Sequence, residues 1–147
     1  MTGGTGADTF GSANNFGTIG TSILASALSN AVLNAAVTVT FATGTAGNVD
    51  RVTDFVSGTD KLDVVNANTA PTTLINLAAG ALTANTTYVV YGAYVAATGV
   101  FTAAAAYGAG NTDALVVTGD GVLSQTTTTG YQVLTGLNQA LVAADFV

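Results

Sequence analysis

The chain carries eight acidic residues and only two basic ones, and this imbalance limits how it can fold. All eight are aspartates, opposed by Arg51 and Lys61 alone. Ion pairing therefore cannot satisfy most of the carboxylates. An aspartate that enters the interior needs hydrogen bonds or a cation, because burying a bare charge is costly. Four of them, Asp50, Asp54, Asp60 and Asp63, crowd into "DRVTDFVSGTDKLDV" (residues 50–64), where they alternate with Val52, Phe55, Val56, Leu62 and Val64. They repel one another unless donors or a cation hold them. Aspartate without glutamate also points to short carboxylates seated in turns, where Asp bonds its own backbone.

The same balance excludes several function classes. A net charge of −6 is the wrong sign for gripping a phosphate backbone, which needs clustered Lys and Arg. No nucleic-acid partner is expected, and hard cations are the more plausible charged ligand. The chain has no cysteine and no histidine, which removes disulfides, thiolate metal sites and the commonest general base. With no glutamate either, no catalytic triad or zinc-protease helix can be assembled, so no catalytic residue is assigned. No apolar run approaches the ~20 residues that span a bilayer, so no membrane span is expected. Met1 runs straight into a glycine turn without a basic and apolar leader, which reads as the cut end of a longer protein.

The remaining composition suits strands. Hydrophobic residues make up 49 % and aromatics 7 %, with Thr, Ala, Gly, Asn and Val filling the places that charge usually takes. Residues 36–44 alternate Val37, Val39 and Phe41 with threonines, the period of a half-buried strand. The acidic stretch reads as two short strands joined by a Ser57–Asp60 turn. "TTYVVYGAY" and "GVFTAAAAY" flank a hairpin turn with Gly99 at positive φ. "DALVVTGDG" and "YQVLTG" supply further strands. Tyr88, Tyr91, Tyr94 and Tyr107 read as cross-strand packing residues. Residues 22–35 change period, with Leu24, Leu28 and Val32 at four-residue intervals, and predict one amphipathic helix. A helical turn is expected within residues 73–80.

Two motifs carry chemistry. Gly3-Gly4-Thr5-Gly6-Ala7-Asp8-Thr9-Phe10-Gly11 fits the nonapeptide G-G-x-G-x-D-x-U-x, where U is a large apolar residue. Its glycines turn the backbone tightly, its Asp adds a formal charge, and Phe10 enters a core. This turn resembles a repeat of the RTX (repeats-in-toxin) proteins, in which successive turns wind a parallel β-roll with calcium shared between them. The segment from Asp50 to Val64 resembles the stretch that follows the last repeats in serralysin-type C-terminal domains, matching at Asp50, Asp54, Phe55, Gly58, Asp60, Lys61, Leu62 and Asp63. The ending "AADFV", with Asp145 before Phe146 and Val147, resembles the terminus of type I secreted proteins.

The resemblance implies a mainly-β fold. It divides into a terminal β-roll turn at 1–20 and a β-sandwich-like cap and type I secretion domain at 21–147. It implies Ca2+ as cofactor, with Gly4, Gly6, Asp8, Asp50, Asp54, Asp60 and Asp63 as candidate ligands. The alternative at these positions is structural: Asp60 and Asp63 cap turns, and Asp50 or Asp54 pairs with Arg51 or Lys61. The implied function is that of a calcium-stabilised cap and export signal of a bacterial surface-layer protein or adhesin. It would be secreted or held at the cell surface, its partners the ABC exporter and other copies of itself. Alternatives are a self-assembly or glycan-binding module, or the non-catalytic tail of a secreted hydrolase.

Overall fold

Three stretches widely separated in sequence lie side by side and run in the same direction. The computed structural model describes residues 1–11, 38–40, 51–63, 87–104, 106–118 and 131–147. Strand β1 (Thr9–Gly11) pairs in parallel with β4 (Lys61–Asp63), Phe10 opposite Leu62. On the other side of β4, Leu62 forms a parallel bridge with Phe146, and the Val147 amide donates to the Leu62 carbonyl at 3.0 Å. Earlier in the same stretches, β3 (Arg51–Val52) pairs in parallel with β8 (Tyr131–Leu134), and the Thr135 amide reaches the Val52 carbonyl at 2.9 Å. The Met1 ammonium donates to the Arg51 carbonyl, and the Thr53 amide donates to the Met1 carbonyl. Segments 1–11, 51–63 and 133–147 therefore form three parallel rungs, with 51–63 in the middle.

The other sheet has six strands in the order β2-β6-β5-β7-β8-β3. Its centre is β5 (Thr87–Val95), flanked by β6 (Val100–Ala103) and β7 (Asp113–Thr118), all antiparallel. Strand β2 (Thr38–Thr40) lies at one edge. The hairpin between β5 and β6 turns at Gly99, with φ 67°, as the sequence leads one to expect. The predicted strands within 36–44, 50–64, 86–107, 113–121 and 131–136 each contain one or two of these elements, and the described chain is mainly β. Strands β3 and β4 do not form a hairpin: they pair with other partners in two different sheets. The predicted helix at 22–35, the helical turn at 73–80 and Asp50 lie outside the described residues.

Burial explains why the two sheets meet. Period-two alternation puts Val89, Ala114, Val116, Leu134 and Val52 on one face of the large sheet, where they cluster with Phe10, Phe55, Leu62, Leu137, Leu141 and Phe146. Each large side chain buried in this way contributes about 1.5–3 kcal/mol. Phe10 shares this core with residues from all three rungs. Parallel pairing here joins stretches about fifty and eighty residues apart, and no two consecutive nonapeptide turns stack among the described residues.

One glycine in the large sheet is there for space. A Cβ on Gly92 would sit 2.1 Å from the Thr102 carbonyl oxygen and 2.9 Å from the Phe101 ring. Gly92→Ala is expected to cost on the order of 1–3 kcal/mol through overpacking, read as a lower denaturation midpoint. A midpoint equal to wild type would show that β6 moves aside freely.

Candidate functional site

The carboxylates of the central and last rungs act as acceptors for the rung above them. On the central rung, Asp54 accepts the amides of Gly3 and Gly4, at 3.1 and 2.9 Å, one on each oxygen. Asp60 Oδ1 accepts the Asp8 amide at 3.0 Å, and Oδ2 accepts its own rung's Val56 amide at 2.8 Å. On the last rung, Asn138 Oδ1 accepts the Ser57 amide at 3.0 Å, and Asp145 Oδ1 accepts the Gly58 amide at 2.8 Å. Asp145 Oδ2 takes the Ser57 hydroxyl at 2.7 Å and the Val142 amide at 2.9 Å. The last of these contacts closes the 3-10 turn Ala143–Asp145 by reaching back to the residue that starts it. Backbone N–H groups thus do what the scarce basic side chains cannot, and charge-assisted bonds of this kind are the strong ones. The ammonium of Lys61 donates to the Ala144 carbonyl.

The turn chemistry recurs in register. Gly6-Ala7-Asp8-Thr9-Phe10 lies beside Gly58-Thr59-Asp60-Lys61-Leu62, residue for residue at a separation of 52. Both turn glycines have positive φ, 127° at Gly6 and 87° at Gly58, a conformation that L side chains avoid. Gly-x-Asp-x-apolar is therefore a repeat written twice in the chain. Spacing alone would have revealed it, had the two stretches been aligned with each other.

The seven residues singled out for metal binding separate into groups. Gly4 gives its amide, not its carbonyl, to a carboxylate. Gly6 is exposed at the turn. Asp54 and Asp60 are engaged as above, Asp60 being only 2 % exposed. Asp63 is exposed at the end of β4. Asp8 is half-buried against Gly3, and its carboxylate has no hydrogen-bond partner among the described residues. Calcium takes six to eight oxygens, whereas the surroundings of Asp54 and Asp60 present N–H donors on both carboxylate oxygens. Among the described residues no three acidic side chains converge. In this geometry Asp54 and Asp60 hold backbone amides.

Sequence reasoning passed over Asn138, read Asp113 only as the start of a strand, and read Asp145 only as part of a terminal address. Asp145 is fully buried. Asp113 ties β5 to the start of the last rung, accepting the Tyr94 amide at 2.7 Å and the Gly136 amide at 2.8 Å. Two tyrosines then clamp the tail. The Tyr91 hydroxyl accepts the Leu141 amide at 2.9 Å, and Tyr107 donates to the Leu137 carbonyl at 2.9 Å. Their rings meet edge to face, 5.7 Å apart, as expected for packing across strands. Burial pushes the Tyr91 phenol up, opposed by the Leu141 amide.

The Asp54 carboxyl is held below its usual range, chiefly by the Gly4 amide, with burial opposing and Gly3 assisting. A depressed carboxyl stabilises the fold above its unfolded value of roughly 3.9 and loses that contribution as pH falls through the lower folded value. Wild type is therefore expected to lose part of its stability below about pH 4 that Asp54→Asn never has. Denaturant melts of the two proteins between pH 2.5 and 6 measure this, and parallel curves would refute it.

Among the described residues no helix is long and apolar enough to cross a membrane. Comparison with family models, with curated proteins and with solved structures finds no match.

Proposed function

We propose that the chain is the non-catalytic C-terminal domain of a secreted bacterial RTX-like surface protein, closing the end of a parallel coil and bearing a type I export address at its own terminus. The docked tail is the observation that carries this reading. Phe146 is buried against Leu62, Asp145 is buried on the Ser57–Gly58 turn, and a 3-10 turn at Ala143–Asp145 interrupts the last rung just before Phe146. A ladder closed in this way has less open strand edge to aggregate, which is what a terminal cap must achieve. In finer terms, the rungs are the end of a roll and the six-stranded sheet is the sandwich-like body that covers them.

Export and folding are coupled in this reading. An address that includes Asp145 and Phe146 is hidden once the tail docks, so the ABC exporter must read it on the unfolded chain. Folding follows outside the cell, where the protein is released or held at the surface. Deleting residues 143–147 is expected to abolish secretion of a reporter fused ahead of the domain, and unchanged export would remove the address.

In this reading amide donors stand at Asp54 and Asp60 where the resemblance implies calcium. Thermal melts in excess calcium and in chelator are accordingly expected to coincide. A calcium-dependent rise in the midpoint would return these carboxylates to a metal, since a ligand bound only by the native state raises its stability.

A further inference from the structure

The six-stranded sheet has two edges, and one of them is occupied. At the β3 edge the Met1 ammonium donates to the Arg51 carbonyl and the Met1 carbonyl accepts the Thr53 amide. At the other edge lies β2, with no strand beyond it among the described residues. Pairing along the sheet fixes which of its backbone groups point outward. The Ala104 amide bonds the Tyr91 carbonyl at 2.8 Å, so Ala104, Thr102 and Val100 direct their N–H and C=O towards β5. Phe101 and Ala103 then direct theirs towards β2, where the partner of Phe101 is Val39. Val39 is thereby bonded to β6, and Thr38 and Thr40 present their N–H and C=O on the outer side.

Edge strands are ordinarily blunted by charged side chains, by proline or by bulges. Residues 9–49 and 64–112 contain no charged residue, and the single proline, Pro71, lies outside β2 and β6. Among the described residues the charged side chain nearest to β2 in the sheet order is Asp113 on β7, three strand spacings or about 14 Å away. That exceeds the Debye length of ~10 Å at 0.1 M salt. Thr40, Val100 and Val95 fall in one row across β2, β6 and β5, and Val95 is 50 % exposed. Open backbone and exposed apolar surface therefore share one uncharged corner, while the acidic ladder borders the opposite edge.

We infer that β2 pairs antiparallel with β2 of a second copy, about a two-fold axis at Val39. Thr38 of each copy meets Thr40 of the other in hydrogen-bonded pairs, and the two Val39 residues oppose each other in the non-hydrogen-bonded site between them. Thr-Val-Thr is its own complement under that rotation, as an isologous interface requires. Charge favours the same occupant. Copies carrying a net charge of −6 repel through their ladders. The two-fold sets those ladders at opposite ends of a twelve-stranded sheet, each five spacings or about 24 Å from the central strand pair. A basic partner, by contrast, meets no described carboxylate beside β2. The pairing joins two chains side by side and leaves both ladders free, and it is independent of the export reading.

A three-residue edge with one apolar corner is smaller than a standard interface, so the expected Kd is roughly 10 µM to 1 mM. Sedimentation velocity of the full chain across that range is expected to show the mass rise to two copies and stop there. Thr38→Pro removes an outward amide that β6 does not use. It is expected to weaken association at least about tenfold with the melt unchanged. Thr40→Lys keeps every backbone donor and repeats the test through edge charge, should proline perturb the fold. The chain has no cysteine, so an introduced one reports a single position. Val39→Cys is expected to cross-link into dimers on mild oxidation, because Cα atoms of a non-hydrogen-bonded pair lie about 4.5 Å apart, within disulfide reach. Gly11→Cys, at an exposed position in the ladder, is the control and is expected to stay monomeric. A wild-type chain that remains monomeric up to ~1 mM overturns the inference. So does growth past two copies, association that survives both edge variants, or cross-linking of Gly11→Cys at the rate of Val39→Cys.

Discussion

Replacing Asp145 by alanine is expected to cost about 3–5 kcal/mol, enough to lower the melting temperature of a domain this size by roughly 8–20 °C. The side chain is fully buried and receives three donors: the Gly58 amide on Oδ1, and the Ser57 hydroxyl and Val142 amide on Oδ2. Alanine leaves those donors without an acceptor in a place water reaches poorly. Such orphaned donors cost more than the mean worth of a hydrogen bond. Asparagine sharpens the test. It offers one acceptor oxygen, which suits Oδ2, so its amino group must face the Gly58 N–H. Asp145→Asn is therefore expected to lose about 1–3 kcal/mol. Denaturant melts read both values. If Asp145→Ala melts within 1 °C of wild type, the tail is not held by this carboxylate and the cap has no latch.

The second large effect is expected at Phe55. Its ring is 2 % exposed and sits 6.0 Å from the ring of Phe10, in the cluster that joins the three rungs to the large sheet. Phe55→Ala removes the filler of that junction and is expected to cost about 3–5 kcal/mol, the transfer term and the cavity term together. Phe55→Leu, which keeps most of the volume, is expected to cost less than half as much. Beyond global stability, amide exchange at Phe10 and Leu62 should accelerate in Phe55→Ala, because the rungs lose their shared support. Unchanged exchange there would place Phe55 outside the core that organises the ladder.

The two variants differ in what they report. Asp145 tests polar satisfaction at one end of the ladder, Phe55 the apolar contact between its layers. Their partners do not overlap: Asp145 bonds Ser57, Gly58 and Val142, while Phe55 packs in the Phe10 cluster. Both nonetheless bear on one turn, since Asp145 bonds Ser57 and Gly58 and Phe55 lies two residues before Ser57, so the double variant measures their coupling. A combined cost well below the sum would show that loss of either end already frees segment 51–63.

Much of the strand content was legible because alternation of apolar and polar residues is a local signal. Val89, Gly92 and Gly99 could be assigned to a hairpin from their own neighbourhood, and the structure places them there. Long-range partners were not legible. Arg51–Val52 and Lys61–Asp63 look like the arms of a hairpin on the thirteen residues that contain them, yet each pairs in parallel with a stretch roughly fifty to eighty residues away. A parallel partner leaves no turn signature, because nothing short connects the two strands.

The aspartates show the division most clearly. From composition alone it followed that eight carboxylates and two bases could not be neutralised by ion pairs, so that donors or a cation had to stand in. Residue types set that much, since charge counts do not depend on the fold. Which of the two stands in at Asp54, Asp60 and Asp145 was decided by the tertiary structure. The amides of Gly3, Gly4, Asp8 and Gly58 become available only when three distant rungs are laid in register, and each lands on a carboxylate fifty or more positions along the chain. An amide's direction is a property of the paired backbone, and no local stretch of sequence carries it.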